Sequence, residues 1–200
     1  MKRAVIFDYG GVLMKTVDYT PRHTWDERLH LERGSVERAV HGSQSWLNVM
    51  TGHITLADYW ADVAHQLSLD EANTCQLAQD FYSGDQLDLD LIAYIRQLRE
   101  RGHMIALLSN ASPALRGELD QLGITSLFEP LVVSCEIGVL KPEARAYQAV
   151  LERIRRPSHE AIFIDDMPAN IAGANAVGLH GLQYTAGMDL PAALEPLLYG

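Results

Sequence analysis

The chain is predicted to adopt an α/β fold built on a parallel sheet. Three observations predict it. Four short apolar runs, at residues 4–7, 104–108, 131–134 and 161–164, are rich in Val, Ile and Leu, the composition of strands buried on both faces. Each is followed within a few residues by turn or helix-opening chemistry. One long stretch, residues 15–84, carries helical spacings and no strand-like run, so it interrupts the alternation as an insertion.

In chain order, the first strand ends at Asp8. The insertion follows, with Leu56, Tyr59, Trp60, Val63 and Leu67 spaced as one helical face. It holds all three tryptophans, Trp25, Trp46 and Trp60. Their plainer role is to fill the small core such a lobe needs; the alternative is a tryptophan lining a ligand. Leu91, Ile92, Ile95 and Leu98 predict a helix that Gly102 terminates. After the second strand, Ser112 and Pro113 read as N-cap and first turn of a helix ending at Gly123. Pro142 is predicted to open the next helix, carrying Tyr147, Val150, Leu151 and Ile154, and Pro168 the one that stops near Gly178. A weaker run at 181–184 and an apolar tail at 191–198 close the chain, the tail as an edge helix. The predicted division is therefore a core of residues 1–14 and 85–200 and a helical lobe of residues 15–84.

Composition narrows the function classes. Two hundred residues, 48% hydrophobic and 21% charged, suit one globular unit with a modest inserted lobe. A formal net charge of −10 argues against nucleic acid as a partner, since phosphate backbones are held by clustered Lys and Arg. Cys75 and Cys135 lie far apart without CxxC spacing, so no disulfide framework or structural zinc is expected and both read as buried thiols. The eight histidines show no HxH or HExxH spacing. No apolar run approaches the ~20 residues that span a bilayer, and a cytoplasmic protein without membrane partners is expected.

The chemistry gathers at the carboxyl ends of the predicted strands, where open parallel sheets place their ligands. Four segments stand there: FDYGGVL around Asp8, LLSNAS around Ser109 and Asn110, GVLKPEA around Lys141, and FIDDMPAN around Asp165 and Asp166. Singly, each has an ordinary explanation as turn residues or helix entry. The adjacent Asp165 and Asp166 are harder to dismiss, because like charges at a strand end repel unless a cation or hydrogen-bond donors compensate them.

Together the four segments resemble the motif set of the haloacid dehalogenase superfamily of hydrolases. The resemblance covers the core throughout, and the insertion after the first motif is where one class of these enzymes carries a helical cap. It implies a Rossmann-like core with Asp8 as the nucleophile of a phosphatase that forms an aspartyl phosphate. It further implies Mg²⁺ held by Asp8, the Gly10 carbonyl and Asp166, with Asp165 in support. Lys141 would bind a phosphate oxygen and steady Asp8, and Ser109 with the Asn110 backbone N–H would donate to the transferring oxygens. Gly11 has no side chain to obstruct that loop. The runs KPEARAYQAVL and FIDDMPANIAGANAVG are similar to those of small sugar-phosphate phosphatases, the α-glucose-1-phosphate phosphatase subgroup. The implied substrate is a small phosphorylated metabolite; nothing in the sequence speaks to oligomeric state.

Two departures bear on mechanism. Gly10 stands where most phosphatases of the superfamily have a second Asp that protonates the leaving alcohol, so a water or a lobe residue such as His23 would have to serve. Asn170 stands where many relatives have a further acid. Because haloacid dehalogenases also lack the second Asp, a metal-independent 2-haloacid dehalogenase is the nearest alternative; the Asp165–Asp166 pair argues against it, since a metal-free site gains little from two extra carboxylates facing Asp8. The other alternative is a non-catalytic binding or regulatory module, which would not require all of Asp8, Ser109, Lys141 and Asp166.

Overall fold

A computed structural model describes residues 2–199. Its elements run β1 (Ala4–Phe7), β2 (Met14–Thr16), α1 (Thr20–Arg28), α2 (Ser35–His41), α3 (Gln44–Met50), α4 (Leu56–Leu67), α5 (Glu71–Phe81), β3 (Asp85–Leu87), α6 (Leu89–Glu100), β4 (Met104–Ser109), α7 (Ala114–Gln121), β5 (Leu131–Val133), α8 (Ser134–Ile137), α9 (Ala144–Ile154), β6 (Ala161–Asp165), α10 (Pro168–Ala176), β7 (His180–Gln183) and α11 (Leu190–Tyr199). The main sheet has strand order β5-β4-β1-β6-β7, and every pairing in it is parallel. No helix among the described residues is long and apolar enough to cross a membrane.

β1 sits at the centre because all four of its residues are apolar and both its faces are covered. Val5 and Phe7 pack into one cluster with Leu91, Ile95 and Leu98 of α6, Leu119 of α7 and Leu194 of α11. Ala4 and Ile6 pack into the other with Tyr147, Val150 and Ile154 of α9 and Ala174 of α10. This alternation is the period-2 pleat of a strand, and it places helices on both faces of the sheet. The next residue, Asp8, thereby emerges at the carboxyl end of the central strand, flanked by the ends of β4 and β6.

The helical lobe has its own core of Trp25, Val36, Val40, Val49, Tyr59, Val63, Leu77 and Phe81. Local signals start its helices. Thr55 and Asp58 form a capping box on α4, and Asp70 caps α5 by accepting from the Asn73 N–H. α5 buries Leu77 and Phe81, which leaves Cys75 exposed rather than buried as expected. The lobe meets the core at two places. β2 and β3 pair antiparallel where the chain leaves and re-enters the core, and the Ser134 hydroxyl of α8 donates to the Met50 carbonyl at 2.6 Å.

Several boundaries differ from the sequence expectation. Lys15 and Thr16 belong to a strand, not to a strand-free insertion; three residues are too few to display a period. The α7 helix starts at Ala114 with Pro113 as its cap, and Ser112 only weakly accepts the Ala114 N–H at 3.4 Å. Pro142 lies in a turn, and α9 begins two residues later at Ala144. Before α9 the chain is held by the Asn110 side chain on the Lys141 backbone, and before α7 the Ala111 N–H is held by the Ser134 hydroxyl. The weak run at 181–184 forms edge strand β7 one residue earlier, and the tail is helix α11.

The lobe also packs tightly on the core at Gly52, where φ is +71° and an added Cβ would stand 2.4 Å from the Cys135 carbonyl oxygen. Gly52→Ala is therefore expected to destabilise the protein by about 1–3 kcal/mol, through backbone strain and a clash that only movement of the lobe relieves. Thermal unfolding checks it, with Gly187→Ala as comparison: its φ of +79° carries the strain but no atom lies within 4 Å of the added Cβ. The larger Tm loss is expected at Gly52.

Candidate active site

Four loops converge at the carboxyl ends of β1, β4 and β6 and before α9. Asp8 is buried; one of its oxygens, Oδ1, accepts the Tyr9 backbone N–H at 2.7 Å and forms an ion pair with the Lys141 ammonium at 2.8 Å. Lys141 is 4% exposed and also donates to Asp165 Oδ2 at 2.7 Å. One of its N–H groups is thus engaged by Asp165 while its charge also faces Asp8, and the ammonium keeps donor capacity for a ligand oxygen. The lysine is aimed by Asn110, whose side chain grips its backbone from both sides: Nδ2 donates to the Lys141 carbonyl at 2.9 Å, and Oδ1 accepts the Lys141 N–H at 2.8 Å.

Asp165, the last residue of β6, is fully buried and saturated by donors. Besides Lys141 it accepts the Met167 N–H at 2.8 Å and the Asn170 amide at 3.0 Å on both oxygens. Asn170 acts here as a neutral amide donor, and its backbone carbonyl accepts the Tyr147 hydroxyl at 2.7 Å. Asp166 forms no ion pair among the described residues, and its carboxyl is pushed above the ordinary range by burial and by the neighbouring Asp165 charge. Oxygens of Asp8, Asp165 and Asp166 lie within 4.8 Å of one another. Three carboxylates face one ammonium, and burial, opposed by Lys141 and reinforced by Asp165, raises Asp8 from 3.8 to about 7. Such a set suits a hard divalent cation, which binds carboxylate and carbonyl oxygens and offsets their mutual repulsion. With Asp165 already occupied by protein donors, Asp8 and Asp166 are the carboxylates left to hold it.

The glycines of the loop are of two kinds. At Gly11, with φ +77°, an added Cβ would stand 2.4 Å from Asp166 Oδ2, so only glycine lets the two loops approach. At Gly10 nothing lies within 4 Å of an added Cβ. Ser109 ends β4 and, with Asn110, Gly10, Gly11 and Asp166, lines one end of a cavity of about 970 Å³ between core and lobe. Trp46, Trp60, His41 and Tyr82 line the lobe side.

The family model for haloacid dehalogenase-like hydrolases matches residues 2–178. The chain belongs to this family. Acyl-CoA dehydrogenase family member 10 of Mus musculus is 29% identical over 205 residues, covering 98% of this chain; the chain spans only 19% of that protein. Sesquiterpene phosphatase astK of Aspergillus oryzae is 25% identical, with 98% of this chain and 96% of that protein covered. A (S)-2-haloacid dehalogenase of Pseudomonas sp. is 26% identical over 89% of this chain and 82% of its own length. Among solved structures, the family enzyme bt-2542 of Bacteroides thetaiotaomicron, in complex with magnesium and inorganic phosphate, superposes with a TM-score of 0.81 at 20% identity, covering 96% of this chain and 99% of that one.

Of the expected site residues, Ser109, Asn110 and Asp166 line the cavity, and Asp8, Lys141 and Asp165 form a buried cluster beside Asp166. The lobe side is different. His23, considered above as a proton source, does not line the cavity, its ring nitrogen lying 2.9 Å from Arg33. Trp25 is in the lobe core, whereas Trp46 and Trp60 both pack there and face the cavity. The grip of Asn110 on Lys141 carries no local sequence signal, because the two are 31 residues apart.

The raised Asp8 carboxyl has a thermodynamic consequence. Folded protein without a cation holds a proton on Asp8 that the unfolded chain releases at a pKa of 3.8, so this group's stabilisation is complete below that value and lost as pH rises through about 7. Asp8→Asn cannot ionise and leaves Lys141 paired with Asp165. In EDTA its Tm is expected to exceed that of wild type above pH 7 and to show no such advantage near pH 4, measured by thermal unfolding across that range.

Proposed function

We propose that this hydrolase is a magnesium-dependent phosphatase that acts on a small phosphate monoester through an aspartyl-phosphate intermediate. The observation that carries it is the Lys141 ammonium bonded to both Asp8 and Asp165, with Asp166 left unpaired beside them. The magnesium and phosphate in bt-2542 and the phosphatase name of astK support the reading.

Asp8 would attack phosphorus in line, forming a P–O bond to its carboxylate as the bond to the leaving oxygen breaks; water then attacks the same phosphorus, releasing phosphate and restoring Asp8. Magnesium bound between Asp8, the Gly10 carbonyl and Asp166 would supply the positive charge that lets two anions approach. Lys141 offers an N–H to a phosphate oxygen while its charge holds Asp8 in place. The Ser109 hydroxyl and the Asn110 N–H donate to the transferring oxygens. Asp165 orients Lys141 from behind. The lobe closes over the cleft as a cap and keeps bulk water from the phosphoryl group.

The dehalogenase alternative has a named relative, but attack at carbon needs no cation and would leave Asp166 as an uncompensated carboxylate beside Asp165. Phosphate and chloride release assayed side by side separate the two. Asp8→Asn should abolish phosphate release while folding normally. Asp166→Ala should raise the magnesium concentration for half-maximal activity strongly, whereas Asp165→Asn should shift it less and lower kcat through a loosened Lys141. Equal shifts in magnesium titrations would reject that division of labour.

Gly10 offers no proton to the leaving oxygen, so esters that depart with little protonation should be favoured, an anomeric sugar phosphate over a primary-alcohol phosphate. Since Gly10 has open space for a side chain, Gly10→Asp should speed glucose 6-phosphate more than glucose 1-phosphate, in kcat/KM. Faster wild-type turnover of glucose 6-phosphate than of glucose 1-phosphate would defeat the idea.

A further inference from the structure

Beyond the phosphate end, the cavity has an uneven charge balance. Its two basic side chains are already taken. Lys15 pairs with Asp88 at 2.7 Å, and Arg22 pairs with Glu37 at 2.7 Å and Asp85 at 2.9 Å. His41 also rests on Glu37, at 3.1 Å. One carboxylate, Glu118 of α7, lines the cavity and forms no ion pair among the described residues. Its contact is a hydrogen bond accepted on Oε1 from the Tyr9 hydroxyl at 2.5 Å. Burial pushes the Glu118 carboxyl up and the nearby Asp85 charge adds to this, against the Tyr9 hydrogen bond. The remaining walls include the aromatic side chains of Tyr19, Trp46, Trp60 and Tyr82 and the aliphatic ones of Met14, Leu56 and Leu115.

Tyr9 ties this carboxylate to the reaction centre. Its backbone N–H holds Asp8 Oδ1 and its hydroxyl holds Glu118, so the distance between them is set by one rigid side chain. A substrate whose phosphate is seated at Asp8 therefore extends its body past aromatic faces toward an acid with no counter-ion. An apolar or neutral body loses little there. A second anion would meet Glu118 and Asp85 with no free cation to compensate it.

We propose that Glu118 is a specificity-determining residue, which restricts the enzyme to phosphate monoesters whose organic part is neutral or cationic and excludes those with a second anionic group, a carboxylate or another phosphate. This rests on the phosphatase reading of the site.

Phenyl phosphate and 4-carboxyphenyl phosphate differ by one remote anion and test it. Their kcat/KM ratio is measured for wild type and Glu118→Gln at mildly alkaline pH with magnesium; comparing the two proteins cancels the difference in leaving group. Glu118→Gln keeps the acceptor for Tyr9 and removes the charge. It is expected to improve the carboxylated substrate relative to phenyl phosphate by roughly tenfold or more. Binding of phenylphosphonate and 4-phosphonobenzoate, followed by quenching of tryptophan fluorescence, should show the same change in the Kd ratio without turnover. An unchanged ratio in both measurements overturns the proposal. So does a loss of kcat confined to phenols of high pKa, which would make Glu118 a proton donor. If wild type releases no phosphate from either ester, the phosphatase reading fails, while the phosphonate Kd ratio still decides the role of Glu118.

Discussion

The Lys141 ammonium, bonded to Asp8 on one side and Asp165 on the other, is the interaction on which the rest of the site depends. Two carboxylates buried at the ends of adjacent parallel strands repel, and the strand register β1–β6 brings them together whether or not they suit each other. One cation between them resolves the conflict locally. Removing the lysine from a buried set of this kind typically costs about 3–5 kcal/mol, because the carboxylates left behind are neither solvated nor paired. The surrounding polar contacts all bear on it: Asn110 aims the lysine, and Asn170 and the Met167 N–H satisfy the outer face of Asp165. What remains under-compensated is the pair Asp8 and Asp166, a residual negative charge that suits a divalent cation.

The same economy explains the position of the lobe. Arg22 is buried at 4% exposure, and its guanidinium donates to the Phe81 carbonyl, Glu37, Thr16 and Asp85. It thereby joins α1, α2, α5 and both strands of the small sheet through a planar fork whose donors are preorganised. With this joint at one side and the Ser134–Met50 hydrogen bond at the other, the lobe is seated over the carboxyl ends of the main strands. The tryptophans Trp46 and Trp60 consequently have two duties, packing the lobe and forming the wall of the cavity. A lobe of this size has too few large apolar residues to reserve them for one.

The cavity walls combine Asp166, Ser109 and Asn110 of the core with charged pairs and aromatic side chains at the lobe. The residues grouped around Asp8 and those that line the lobe side therefore come from separate elements of the fold.

By itself the sequence determined the order and class of the elements and the segments that carry chemistry. A buried strand announces itself by a run such as residues 4–7, a helix by the spacing of Tyr147, Val150 and Ile154, and strand ends in a parallel sheet are where polar groups can face a ligand. Those signals are local, and local signals survive in a one-dimensional reading. Tertiary structure alone decided which groups touch. Asn110 meets Lys141 across 31 residues, Ser134 meets Met50 across 84, and Tyr9 meets Glu118 across 109. It also placed Trp46 and Trp60 at the cavity and sent Trp25 into the lobe core, paired β2 with β3, and held the chain before α7 and α9 out of helix. The reason is geometric: such contacts depend on the summed path of every residue between the partners, and no local periodicity encodes where that path returns.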